Sequence, residues 1–334
     1  MKKMIFIASM LATTCFYTAR AQDDYTKGFY IKAGGSYFIK VTPVEFPAIG
    51  GQPARDRVFN IIPGNPSRQE TVSESTITGS FGEGWRASLI PGYRFSRIFG
   101  VELGINYYNS RSQDMMRQRG SIGGNEVLNL YSTGKVTAFD VAPAIVAHLP
   151  TDGPVKPYMK VGVIVPIGGE LKITTALNDQ TGTFAAEAGM SSPVPNTHIA
   201  LVLDREESIK ANPTVGFQSA IGADFKIGGK VSLFAELEYR NISVGGKKKE
   251  LEKYDGTATV VSSATLQPVP GVPVTEISID NASEAAKNVK YHKTITADMN
   301  MDGEDRNRPS DELRSYINIG GLGVNVGIKI PFGN

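Results

Sequence analysis

The stretch with the sharpest chemical meaning is Asp298-Met299-Asn300-Met301-Asp302-Gly303-Glu304. Oxygen ligands stand at alternate positions and a glycine follows, which is how a calcium loop opens. Pro309 stands where the closing glutamate belongs, and Asp305 where an apolar residue is usual, so the segment is not an EF-hand. The spacing predicts that Asp298, Asn300, Asp302 and Glu304, with Asp311 or Glu312, hold a structural Ca2+ that stiffens a loop. The other reading is a plain acidic, solvated loop. No other cofactor is expected.

Catalysis would need a nucleophile, a base and an orienting group in contact. The chain has three histidines, His148, His198 and His292, none in a diagnostic context. A non-enzymatic protein is therefore expected. The observation that would favour an enzyme is a close approach of His198 or His292 to both a serine and a carboxylate. Lys247-Lys248-Lys249 is suited to the phosphates of an anionic membrane surface, or is merely solvated beside Glu250 and Glu252.

Compartment is read from the first residues. Met1-Lys2-Lys3 is basic, Met4 to Tyr17 is mostly apolar but too short to span a bilayer, and Ala19-Arg20-Ala21 offers small residues for cleavage before Gln22. Residues 1–21 are expected to be a secretory signal peptide, leaving 22–334 as the mature protein. The single cysteine, Cys15, lies in the leader, and Thr14 before it makes a poor lipoprotein box. The mature chain is then without disulfides, thiol nucleophiles or Cys-based zinc sites. The formal charge is +2, and the leader carries Lys2, Lys3 and Arg20 with no acid, so the mature chain stands at −1. That balance excludes nucleic acid as a partner by net charge.

The elements that must position these residues are strands. Eight segments alternate with period two: 28–39, 85–95, 99–107, 136–149, 156–167, 213–227, 231–239 and 316–332. Trp85, Ala87, Leu89 and Tyr93, for example, alternate with Arg86, Ser88, Gly92 and Arg94. The connections alternate too: three are short turns, and four are long, at about 40–84, 109–135, 168–212 and 241–315. A soluble sandwich has no reason to sort its loops by parity. An up-and-down antiparallel barrel in an outer membrane does, with short periplasmic turns and long extracellular loops. No run of about 18 apolar residues occurs for a spanning helix. Aromatic residues near strand ends, Trp85, Tyr93, Phe95, Phe99, Tyr107, Tyr158, Tyr239 and Phe332, fit interfacial girdles.

The expected fold class is all-β, an eight-stranded transmembrane barrel, with ten strands as the runner-up. Apolar stretches at 171–177 with 199–203, and 257–261 with 275–279, are expected to extend hairpins above the membrane. Arg86, Arg94, Glu102, Asp140, Lys160, Asp224, Lys226, Glu236, Glu238, Arg240 and Lys329 fall on the inward face with nearly matched signs. Buried charges of both signs should pair, and eight strands enclose a lumen that side chains can fill. The expectation is a closed plug, with an ion path as the alternative.

The final strand, Asn325-Val326-Gly327-Ile328-Lys329-Ile330-Pro331-Phe332, resembles the terminal signal by which outer-membrane barrels are recognised by their assembly machinery, through Asn325, Gly327, Ile330 and Phe332. With GYRF at Gly92–Phe95 and GVELGINYY at Gly100–Tyr108, the chain resembles the small outer-membrane barrels of the OmpA transmembrane-domain and OmpW type. The resemblance covers the mature chain in architecture and brings no residue-level functional motif. It implies a Gram-negative outer-membrane protein with lipid and lipopolysaccharide around it. Because the sequence ends after the last strand, no wall-binding domain is expected. The function expected is binding through surface loops, either free-standing, with an extracellular ligand, or as an accessory subunit among other envelope proteins. The alternatives are a narrow channel for a small solute and an enzyme acting on outer-leaflet lipid.

Overall fold

The computed structural model describes residues 27–332 except 42, 47, 48, 50, 51, 63, 64, 213, 229 and 230, with backbone alone for 65–68 and 302. The expected leader, with Cys15, lies outside the described residues. Eight strands form the wall: β1 (Gly28–Ile39), β2 (Gly84–Arg94), β3 (Phe99–Ser110), β4 (Asn125–His148), β5 (Val155–Asp179), β6 (Gly216–Gly228), β7 (Val231–Asn241) and β8 (Gly321–Phe332). Each pairs antiparallel with the next, and β8 returns to β1 from Phe29↔Phe332 to Ile39↔Leu322, closing the ring. The eight-stranded expectation holds, and the ten-stranded one does not.

Period-two alternation alone cannot say which face is which. The structure settles it: apolar side chains point outward and charges inward. Phe139 is 50% exposed and Ile167 66%, whereas Lys32 is 0% and Glu102 3% exposed. A surface of this kind removes its apolar area from water only in lipid. Outside, Trp85, Tyr107 and Phe139 stack across β2, β3 and β4 with centroids 5.4 and 4.9 Å apart, at the end of the belt near the long connections. Phe29 and Tyr93 lie 4.5 Å apart at the other end. These are two interfacial girdles. Tyr158 departs from the expectation: it faces the lumen, where its hydroxyl finds a carboxylate. Inside, glycine makes room for large rings. A Cβ on Gly92 would stand 2.4 Å from the Tyr30 ring, and one on Gly34 2.7 Å from Phe234.

The long connections are largely strand. β4 and β5 run 24 and 25 residues, far past the lipid-facing belt. Below, β5 pairs with β6 as far as Ile164↔Gly216; above, from Glu170↔Lys210, it pairs with a further strand, Thr197–Ala211. Ser243–Ser262 continues this sheet, and Thr275–Ile277 adds to it at Ala258↔Thr275, as the apolar stretches suggested. On the other side, Gln113–Ile122 pairs with β4, and the hairpin Arg55–Ile62/Asn65–Thr76 attaches to it in parallel. One short helix, α1 (Thr183–Glu187), follows β5. The concave side of this extension is apolar: one buried cluster joins Tyr108, Ile164 and Ile242 near the top of the barrel to Leu177 and Leu201 above it.

Candidate functional site

The lumen of the barrel is filled by a charge layer. Lys32 on β1 lies 2.7 Å from Glu102 on β3 and 3.4 Å from Glu236 on β7. Lys160 on β5 lies 2.9 Å from Glu236 and 3.7 Å from Glu102, the second too long for a hydrogen bond. The hydroxyls of Tyr30 and Tyr158 donate to Glu102 and Glu236 at 3.0 and 2.7 Å, and Asn325 Nδ2 donates to Glu236 at 3.3 Å. Nearer the long connections, Arg240 pairs with Asp140 at 2.6 Å and Glu238 at 3.3 Å, and Asn106 donates to Asp140 at 2.7 Å. Toward the short turns, Lys329 meets Asp224 at 2.5 Å. Arg86 is held between the rings of Phe38 and Tyr108, its guanidinium carbon 4.4 and 5.0 Å from their centroids.

Eight of the eleven inward charges expected from sequence are thus buried together, and the half-buried Lys329 joins them through Asp224. Arg94 and Lys226 are not among them. Arg94 sits half-buried at the rim, where Nε donates to the Ser96 carbonyl and the guanidinium to that of Arg97, so it braces the β2–β3 turn. Lys226 is exposed beside the β6–β7 turn. Alternation gave their face correctly, but both stand too near the strand end for the lumen to cover them. Sequence reasoning missed Lys32, although its place opposite Phe29 and Ile31 was visible. Lys32 matters to the balance, because Lys32, Arg86, Lys160, Arg240 and Lys329 offset Glu102, Asp140, Asp224, Glu236 and Glu238 one for one. The space left between Ser36, Arg86, Asn106 and Arg240 is a cavity of about 10 Å³, room for one water.

Above this layer the extension encloses a vestibule. A cavity of about 260 Å³ lies among Met116, Leu130, Leu177, Phe184, Met190 and Leu201, with Arg205 and Glu187 also on its wall. A second apolar cavity, about 50 Å³, sits where β5 changes partner, beside Pro166, Gly168 and Ile209.

The histidines do not assemble catalytic groups. His198 Nδ1 is 3.1 Å from Ser263 Oγ, but its Nε2 is 2.7 Å from the Gln180 carbonyl, so a carboxylate is not its orienting partner. His292 Nε2 bonds Asp311 at 2.8 Å with no serine in its hydrogen bonds. His148 is buried at the short-turn end of the lumen against Tyr158. The segment expected to bind calcium is folded around Asn300. Asn300 is buried, its Nδ2 directed at the carbonyls of Asp305, Arg308 and Pro309 and its Oδ1 accepting from the Asp305 amide at 2.8 Å. Asp298 accepts from Thr296 at 2.6 Å, and Glu304 is exposed. Among the described residues no three acidic, histidine or cysteine side chains gather as a metal site. Asn300 thus gives its oxygen to the Asp305 amide, and the side chain of Asp302 lies outside the described residues. In the lysine tract, Lys248 meets Glu250 at 2.5 Å, while Lys249 turns inward to Glu207 at 3.4 Å.

A closed ring of eight strands with lipid-facing apolar side chains and a charged lumen agrees with a match to known families. The model of the outer membrane protein beta-barrel domain matches residues 8–262. The chain belongs to this outer-membrane β-barrel family. Among solved structures, it is similar to the crystal structure of the outer membrane protein OprG from Pseudomonas aeruginosa, at 11% identity and a TM-score of 0.38, over 92% of this chain and 97% of that one. No curated protein matches the chain. The family places the protein in the outer membrane, with the long connections outside the cell and the short turns in the periplasm.

Proposed function

We propose that the protein acts by binding, through the strand extension outside the cell, and that the barrel is a closed anchor. The observation that carries this is the filled lumen: four bases pair with five acids across it, Arg86 lies between two aromatic rings, and the space among them is about 10 Å³. Charges packed this tightly are held by their mutual attraction and hydrogen bonds, and separating them to open a path leaves each one desolvated and unpaired. Above them, the long hairpins form a shaped, partly rigid surface, which is where a barrel of this size has room to recognise a ligand or partner. Binding is favoured over catalysis because neither loop histidine joins a serine to a carboxylate. Export by a leader ending at Ala21 and contact of Lys247 and Lys248 with lipopolysaccharide phosphates belong to the same reading.

The test is electrical. In planar bilayers the purified protein is expected to give no discrete conductance steps. Steps whose ion selectivity changes on Glu236→Gln would make it a channel through the charge layer. Its mass after extraction in mild detergent then separates a free-standing protein from a subunit of a larger assembly.

A further inference from the structure

We propose that three lysines on the outer face of the extension, Lys210, Lys248 and Lys290, hold a phosphate group of an outer-leaflet glycolipid and so fasten the connection between β7 and β8 to the wall. The inference deepens the reading of the lysine tract as a contact for lipopolysaccharide and rests on it. Lys210 stands directly opposite Lys248, and Lys248 directly opposite Lys290, on three adjacent strands. Their sequence neighbours Ile209, Lys249 and Val289 face the concave side, so alternation turns the three lysines outward. Like charges placed directly opposite one another destabilise a sheet. The chain's own acids relieve this ladder only in part. Lys210 meets Glu170, and Lys248 meets Glu250 at 2.5 Å. Lys290 has no ion pair among the described residues: Asp311, opposite it, is taken by the Asn300 amide at 2.9 Å and by His292 at 2.8 Å.

Height on the wall names the partner. Glu170 continues the lysine row on β5, opposite Thr137 on β4, and Thr137 stands two residues beyond Phe139 of the aromatic girdle. Two residues along a strand rise about 7 Å, so the ladder lies one step above the girdle, at the level of the lipid headgroups. One step higher, Lys135 and Lys172 face each other across β4 and β5. Beyond them the sign reverses, and Asp204, Glu206, Glu252 and Asp255 stand around Lys253. A basic foot below an acidic crown sets the ammonium groups against lipid phosphate and leaves the carboxylates in water. Neighbouring strands are about 4.8 Å apart, so lysine stems from three of them converge on one phosphate. That group offers three acceptor oxygens, one for each ammonium. Because Lys290 belongs to Asn288–His292, a strand within the connection, the bound lipid holds that connection down.

The experiment measures amide hydrogen exchange over Asn288–His292 in the full-length protein, in phosphatidylcholine vesicles carrying either lipid A, the phosphorylated anchor of lipopolysaccharide, or its phosphate-free derivative. Lipid A is expected to slow exchange about fivefold, the worth of one ammonium group at an anionic surface, and the phosphate-free form to leave it unchanged. Lys290→Gln should abolish the protection, whereas Lys253→Gln, among the acids above, should keep it. Lys210→Gln, Lys248→Gln and Lys290→Gln together are expected to weaken lipid A binding, read by native mass spectrometry, about a hundredfold. Equal protection by the two lipids would mean acyl contact alone and overturns the site. Protection by inorganic phosphate as strong as that by lipid A would make the ligand the free ion and overturns the lipid. Lipid A binding lost in Lys247→Gln but kept in the triple variant overturns the ladder while the contact with lipopolysaccharide stands. A conducting protein with full lipid A protection leaves the ladder standing while the closed-anchor reading fails.

Discussion

Lys32 Nζ lies within 2.7 Å of Glu102 and 3.4 Å of Glu236, on strands β3 and β7 that are not neighbours of β1. One ammonium group therefore ties three strands across the lumen. Around a closed ring of backbone hydrogen bonds, this cross-bracing fills the space that water would otherwise take.

Removing one partner from such a layer should cost far more than removing a pair. Glu236→Gln leaves Lys32 and Lys160 undercompensated and is expected to destabilise the barrel by about 3–5 kcal/mol. The readout is the temperature at which the protein loses its compact electrophoretic mobility. Lys32→Met with Glu102→Gln should cost less than the two single changes added together, since each removes the charge the other strands. Additive costs would mean that the pair does not act as a unit.

The loop from Ser283 to Leu313 is organised around Asn300. Asn300→Ala removes its bonds to four backbone groups and is expected to loosen this loop by about 1–3 kcal/mol without altering the barrel. Limited proteolysis should then cut between Met299 and Pro309. Added Ca2+ is expected to leave the cleavage rate of the unaltered protein unchanged; protection by Ca2+ would restore the calcium reading of Asp298, Asn300, Asp302 and Glu304.

Much of the barrel was legible because one constraint dominates each wall position: a side chain meets either lipid or lumen. Trp85–Arg86–Ala87 and Leu237–Glu238–Tyr239 state their faces directly. Face is not depth, and so Arg94 and Lys226 joined the predicted network although the lumen ends before it covers them. Lys32 escaped because a single lysine among Gly34, Gly35 and Ser36 looks like a solvated side chain until Glu102 and Glu236 are known to lie across from it. In the extension, Glu207 and Lys249 face inward between apolar neighbours, and only the strand pairing reveals it. The bonds of Asn300 were not legible for a local reason: its side chain folds back on the backbone, where the Asp305 amide takes its oxygen.

Acid should loosen the same loop. The Asn300 amide at 2.9 Å, and after it His292, hold the Asp311 carboxyl below the usual carboxylate range. A carboxyl with a depressed folded pKa contributes stability that is complete above its unfolded value, about 3.9, and is lost as pH falls through the folded value. Nicking of this loop by pepsin is therefore expected to rise steeply below about pH 4. Asp311→Asn, which cannot ionise, should flatten that rise.

The assembly role expected of the terminal strand can be tested apart from stability. Phe332 is exposed to lipid and pairs in register with Phe29 at the closure of the ring. Phe332→Ala is expected to lower the amount of folded protein in the outer membrane while leaving the melting of the purified barrel within about 1 kcal/mol. A large loss of stability would instead make Phe332 a packing residue.

The central claim is a sealed barrel with its working surface outside the cell, and single cysteines read both parts in one labelling experiment. With Cys15 in the expected leader, the mature chain offers a cysteine-free background. Val202→Cys, on the outer face of the extension, is expected to react with a membrane-impermeant maleimide in intact cells. Ser36→Cys, beside the water-sized cavity in the charge layer, is expected to stay unlabelled from either side of the membrane until the barrel is unfolded. Labelling of Ser36→Cys at a rate like that of Val202→Cys would show an open, water-filled lumen and contradict the account.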